Sequence, residues 1–462
     1  MPAAFLASAL IQFVLGLVVA WLLGPAEFGY YALALAGAVL MQTFIFEWLR
    51  LAATRFHHAE AGRAFAAVLL RWFAGIAAAL LLLALAVAVF GGERRLLYVL
   101  ALLTAIATGF ADLRAAMLRA EFRGSAYALF LALRNGLALL LLPMASALTG
   151  RADLALGAFF LSIVLASGAL EGRLRGQQDA VPPMPVPVPA ASDLARYSMP
   201  IVGTNLVYLG LFFLIRAAIA WAGGIGASGQ ASLALDVTLK LFTTAGTAFD
   251  LLFFQLAVRD ERERGAAAGR MRVRENFERL LVLVMPMMVG LAFVVARIEP
   301  FVVAPAFRGA FSAFVLAAVP GIAAYALIQY GLHPVYQLRQ DTGRLMAAAT
   351  GGGLAGCAAL GIALLTGAPL VFVMAGTILA AMAGAAAMLS RGLGAGFMPG
   401  GPFWLRLAAA LAAMSLCLWA LSRLGDGPVV LVAMLVAGTA SYALAAWIAD
   451  LGRIRALLRG ER

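Results

Sequence analysis

Charge is what this sequence has least of: only 12% of its 462 residues are Asp, Glu, Lys or Arg, where a soluble domain carries about 25%. That deficit excludes a water-solvated surface over most of the chain, and no separate soluble domain fits between the apolar runs. Lysine is nearly missing, Lys240 being the only one. Cysteine occurs twice, at Cys357 and Cys417, both inside apolar runs where a thiol behaves as a small hydrophobe, so neither a disulfide nor a metal site is expected.

Hydrophobicity is what the chain has instead, at 64% of residues. Apolar runs of roughly 20 residues, enough to cross hydrocarbon, recur from end to end. They predict an all-α integral membrane fold of about fourteen transmembrane helices. The spans are expected at 3–23, 28–49, 65–90, 96–117, 126–148, 153–171, 198–221, 229–257, 277–304, 309–332, 345–366, 368–390, 403–422 and 427–449. The first run lacks a basic leader and a small-residue cleavage signal, so it is read as a retained helix.

The net charge of +12 would suggest nucleic acid if it sat on one folded surface, so its placement decides its meaning. It sits in alternate loops. Arg50, Arg55 and Arg63, Arg119 and Arg123, Arg173, Arg175 and Arg196, the cluster from Arg259 to Arg274, Arg339 and Arg344, Arg391 and the tail from Arg453 to Arg462 follow even-numbered spans. The other loops hold only Arg94, Arg95, Arg151, Arg297, Arg308 and Arg423. By the positive-inside rule both termini are cytoplasmic, and no nucleic-acid partner is expected.

A proline-rich stretch from Val181 to Pro189 favours an extended linker. It divides the chain into an N-terminal lobe (1–175, spans one to six), a cytoplasmic linker (176–195), a C-terminal lobe (196–392, spans seven to twelve) and a last segment (393–462) with two more spans and a basic tail. An internal repeat agrees: at an offset of two hundred, Gly24, Gly29, Leu33, Ala34 and Leu35 match Gly224, Gly229, Leu233, Ala234 and Leu235. Repeats of equal orientation predict two lobes around an axis along the membrane normal, with a transport site between them.

A charge near the bilayer centre costs about 2.5–3.5 kcal/mol on insertion scales, so it needs a partner, a water-filled cavity or both. Arg134, Arg216 and Lys240 are the cations in that position. On span eight, Asp236, Lys240, Thr243, Thr247 and Asp250 project within one narrow arc at about 100° per residue. Two readings stand. In one, Asp236 and Lys240 form a buried i,i+4 pair while the threonines bond back to their own helix. In the other, the face lines an aqueous cavity whose arginines and lysine suit an anion, phosphate above all. Asn205 projects from nearly the same face as Arg216, Tyr127 from that of Arg134, and Arg134 alone is close enough to the cytoplasmic side to snorkel. Gln12, Gln42, Glu47 and the Thr104, Thr108, Asp112 ladder are polar enough to line a vestibule but read more readily as glue between helices, and Gly352 with Gly356 as close helix packing. His57 and His58 fall in a basic loop and His333 ends span ten.

The segment Trp21-Leu22-Leu23-Gly24-Pro25-Ala26-Glu27-Phe28-Gly29-Tyr30-Tyr31-Ala32-Leu33 resembles the N-terminal signature of bacterial polysaccharide biosynthesis proteins. These are the O-antigen flippase-like family of the multidrug/oligosaccharidyl-lipid/polysaccharide exporter superfamily. Leu113 to Arg123, followed by Tyr127 and Arg134, is similar to that family's fourth loop and fifth helix, and Tyr197-Ser198-Met199-Pro200 to its entry into helix seven. The resemblance implies two six-helix lobes in a V plus two C-terminal helices, in the bacterial inner membrane. It implies a flippase for an undecaprenyl-pyrophosphate-linked oligosaccharide, with no catalytic residues, cofactor or metal, and with membrane lipids and polysaccharide polymerase or export machinery as partners. Arg134, Arg216 and Lys240 are then the cationic cavity residues, and the last two spans offer a groove for the prenyl tail. Ile215 departs from the family, which places an acidic residue before the helix-seven arginine. The rivals are a membrane-embedded polymerase or ligase, disfavoured because no predicted outer loop exceeds about a dozen residues, and a drug/cation antiporter of the same superfamily, for which Glu47 and Asp112 are the relevant acids.

Overall fold

In the computed structural model, residues 2–56, 62–175, 191–339, 341–394, 397–453 and 455 are described. Residues 176–190 of the expected linker, His57, His58 and the end of the basic tail lie outside them.

Among the described residues the chain is all-helical. It runs as α1 (Pro2–Phe56), α2 (Gly62–Phe90), α3 (Arg95–Ala120), α4 (Gly124–Thr149), α5 (Ala152–Arg175), α6 (Ala191–Arg264) and α7 (Ala266–Val302). There follow α8 (Ala310–Leu327), a π-helical turn (Ile328–Leu332), α9 (His333–Leu338), α10 (Thr342–Leu365), α11 (Leu370–Ser390), α12 (Gly401–Ser422) and α13 (Pro428–Ile448). Among the described residues twelve helices are long and apolar enough to cross a membrane, which makes this a multi-pass membrane protein. A bilayer offers the backbone no hydrogen bonds, so apolar sequence of this length closes its own as helix.

Two helices are far longer than one crossing, at 55 residues for α1 and 74 for α6, and each is interrupted at a single residue. Gly24 takes φ 72°, ψ 172° and Gly224 takes φ 84°, ψ 165°, a region that strains any residue with a Cβ. The breaks stand two hundred residues apart and separate the expected spans one from two and seven from eight. No loop intervenes at either, because one glycine suffices to redirect the chain. Around them the packing is reciprocal. A Cβ on Gly29 would collide with the Ile225 carbonyl oxygen, and one on Gly229 with that of Pro25. The offset of two hundred maps each half of this contact onto the other, so the repeat in the sequence is a repeat in the backbone.

The arginine-rich stretch after span eight was expected as a loop and is helix instead. α6 continues to Arg264, and α7 begins at Ala266 after one glycine, Gly265, at φ 88°. Arginine and glutamate are good helix formers. Arg259 bonds Glu263 one turn on, and Arg272 pairs with Asp260 across the turn at 2.6 Å. The expected start of span seven moves as well, since residues 191–197 already belong to α6.

The chain forms two compact units, Met1–Leu233 and Ala234–Arg462. In the first, Phe46, Leu49, Leu69, Phe73, Leu113 and Met117 knit α1, α2 and α3 into one core. A second core joins α3, α4 and α5 through Leu118, Phe130, Ile163 and Leu170. The carboxylate of Glu27 ties two helix starts together: it accepts from Arg94 at 3.1 Å and from the Ala152 amide at 2.8 Å. That bond to Glu27 is the main reason the Arg94 guanidinium is held above its ordinary pKa. In the second unit α10 and α11 pack most closely: a Cβ on Gly352 would lie 2.5 Å from the Ala381 carbonyl oxygen, and one on Gly384 3.2 Å from the Gly352 Cα. Small residues let the backbones approach, as their spacing indicates.

Candidate functional site

The polar residues expected in the membrane divide between the two units. Arg134, Asn205 and Arg216 belong to the first; Asp236, Lys240, Thr243, Thr247 and Asp250 belong to the second.

In the first unit Arg134 is not a lone cation. Its guanidinium reaches Asp112 at 3.0 Å, joining α4 to α3, with the two side chains 20% and 31% exposed. Further polar links surround the same helices. Glu47 pairs with Arg50 one turn on, Arg114 on α3 pairs with Glu171 on α5, and the Arg119 guanidinium lies 5.5 Å from the Tyr127 ring centroid. Asn135, adjacent to Arg134, donates to the Ser8 hydroxyl at 2.7 Å and accepts from Gln12 at 3.4 Å, so these side chains do join helices. Arg216 is buried on α6 at 6% exposure. Its carbonyl accepts the Ser228 hydroxyl at 2.9 Å, a bond across the Gly224 break. Asn205, earlier on the same helix, is half-buried.

In the second unit the helix beyond Gly224 is continuous, so the expected arc of Asp236, Lys240, Thr243, Thr247 and Asp250 holds in three dimensions. Burial distinguishes its two sides. Leu235, Thr238, Phe242 and Gly246 are buried, whereas Asp236 is exposed and Lys240, Thr243, Thr247 and Asp250 are half-buried. The charged stripe is therefore not the most buried side of the helix. Asp236 acts on Lys240 through its charge, one turn apart. Thr243 bonds back to the Leu239 carbonyl at 2.6 Å, but Thr247 instead meets the Tyr330 hydroxyl at 3.0 Å. The stripe thus carries a charge pair and one back-bonded threonine, with Thr247 held by Tyr330 instead.

Tyr330 was not anticipated. It sits in the π-helical turn that ends α8, a local widening that recurs at functional positions. Its ring packs where a Cβ on Gly246 would be, and with Asp250, Asn276 and Phe253 it borders a small pocket. Nothing in the periodicity of span ten marks the π turn, because one extra residue per turn leaves an apolar run apolar.

The fold defines a class: it is shared with solved structures of a lipid II flippase and of MATE transporters. The chain superposes on a lipid II flippase MurJ in an inward closed conformation with a TM-score of 0.70, at 14% identity, over 98% of this chain and 99% of that one. It superposes on an outward-facing multidrug resistance transporter of the MATE family with a TM-score of 0.57, at 17% identity, over 89% and 94%. A P26A mutant of a MATE protein gives 0.52 at 16% identity, over 89% and 95%. Neither a protein-family model nor a curated protein sequence matches the chain, so the likeness is one of fold.

Proposed function

We propose that this protein is a flippase that carries a polyprenyl-pyrophosphate-linked oligosaccharide across the bacterial inner membrane for polysaccharide biosynthesis, as its resemblance to the O-antigen flippase-like family implies. The observation that carries this reading is the charged stripe on α6. A lysine and two aspartates that are exposed or half-buried cannot rest against lipid, so water and a polar guest are their natural surroundings. Lys240 supplies a fixed donor for the pyrophosphate, with Thr243 and Thr247 as neutral partners beside it; Arg216 and Asn205 are the residues of the first unit that the same reading calls on, while Arg134 is engaged by Asp112. Asp236 and Asp250 balance the charge, which lets the guest leave.

The transport cycle is alternating access, in which the cationic cavity faces one side of the membrane and then the other while the prenyl chain stays in hydrocarbon. Fourteen crossings follow if the chain turns back at Gly24 and Gly224, with both ends cytoplasmic as the arginine distribution indicates. The six-span repeats are the moving parts. The MurJ likeness supports a lipid-linked cargo over a soluble drug, since that structure, named as a lipid II flippase, covers nearly the whole chain.

The test is transport by purified protein in liposomes loaded with a fluorescent prenyl-pyrophosphate saccharide. Wild type is expected to move the probe, and Arg216→Ala and Lys240→Ala each to abolish movement while still inserting. Movement at the wild-type rate in both variants, or transport of a cationic dye in place of the lipid, would overturn the reading.

A further inference from the structure

The first unit contains a groove apart from the charged stripe of α6. It opens over about 630 Å³ among the second half of α1, the end of α2, the first turns of α3 and α6 on both sides of Gly224. That volume falls in the ~300–1,000 Å³ range of ligand sites. Every lining residue is aliphatic or aromatic, and Tyr30 and Tyr98 alone bring a hydroxyl. Water does not fill such a space, because it would find almost no partners there. Left empty, the groove would forfeit the dispersion contacts of all its walls. In a bilayer the filler at hand is a hydrocarbon chain.

The groove has a polar end and an apolar end. Tyr30, Val87, Tyr98 and Ile225 stand at one end; Phe44, Leu83, Leu102 and Leu206 lie deeper. From Tyr30 to Phe44 the helix rises about 21 Å, close to half of the ~40–45 Å bilayer including head groups. At the tyrosine end Arg94 lies 4.0 Å from the Tyr30 ring centroid and is engaged by Glu27. Arg95 starts α3 one turn before Tyr98, on the same side of the helix. It is exposed; its backbone amide bonds the Gly92 carbonyl at 3.0 Å, and among the described residues its guanidinium has no hydrogen bond or ion pair. Tyrosines and an uncommitted arginine at the mouth of a leaflet-deep apolar slot match a lipid phosphate above an acyl chain.

We propose that this groove is a binding site for one phospholipid of the surrounding bilayer, its acyl chain inside and its phosphodiester on Arg95. The prenyl cargo is the poorer occupant: the mouth offers one uncommitted guanidinium and no groups for a pyrophosphate and sugars, whereas the α6 stripe supplies several. The site stands whether or not the protein is an exporter.

The experiment uses the full chain in nanodiscs with a phosphatidylglycerol that carries a diazirine near the end of its acyl chain, followed by peptide mapping. Labelling is expected to concentrate on Met41, Ala101 and Leu102. Ala101→Trp, which fills the slot, lowers the yield there about tenfold, and Arg95→Gln weakens it by about threefold. Ala34→Phe fills the same slot and reads the result should the tryptophan variant lose its melting transition. Three results would contradict the proposal: labelling no stronger than at Leu82 and Leu85, which are 69% and 62% exposed on α2; a yield unchanged by both filling variants; or displacement of the probe by a prenyl pyrophosphate, which would assign the groove to the cargo.

Discussion

At the scale of single residues, the ion pair between Arg134 and Asp112 changes what Arg134 is available to do. A cation whose charge is already met by a carboxylate at 3.0 Å binds a phosphate only in competition with that carboxylate. Removing one member leaves the other uncompensated in a medium of low dielectric, which costs about 3–5 kcal/mol when a pair is fully buried. With these side chains 20% and 31% exposed, a loss of about 1–2 kcal/mol is expected for Arg134→Ala, read as a lower melting temperature in detergent. The double variant Arg134→Ala, Asp112→Ala should recover most of it. No recovery would mean that the pair contributes nothing as a pair. The sequence supplied both residues, but not their meeting. Asp112 belongs to a threonine ladder on α3 and Arg134 lies 22 residues on, and only the packing of α3 on α4 joins them. Tyr330 was hidden for a related reason: its partner Thr247 is 83 residues away, a distance no periodicity encodes.

At the scale of elements, the glycine breaks are the device on which the architecture rests. Gly29 and Gly229 each lie against the other repeat's carbonyl, so a methyl group there must push backbone aside. Gly29→Ala and Gly229→Ala are each expected to destabilise by about 1–3 kcal/mol. Gly16 lies in the same helix with nothing within 4 Å of an added Cβ. Gly16→Ala should therefore be neutral or stabilising, by up to about 1 kcal/mol through helix propensity. Thermal melts of the three variants side by side check this, and equal effects would remove the argument for a specific contact. The spans were legible because hydrocarbon demands long apolar runs, and the repeat was legible because the glycines fall in register. The helical continuation from α6 into α7 was not, since charged sequence between spans reads equally as loop or as helix until Arg272 and Asp260 are seen to close the turn.

At the scale of the whole molecule, the proposed transport turns on whether the α6 stripe meets water. The most direct measurement is thiol accessibility in a variant lacking Cys357 and Cys417, with single cysteines placed at Lys240, Thr243 and Thr247 and, as controls, at Thr238 and Phe242. A membrane-impermeant maleimide is expected to modify the three stripe positions and spare the two controls, and a prenyl pyrophosphate should protect the stripe. If the stripe positions stay as unreactive as the controls, or react with no protection by the pyrophosphate lipid, the cationic route for the cargo is contradicted.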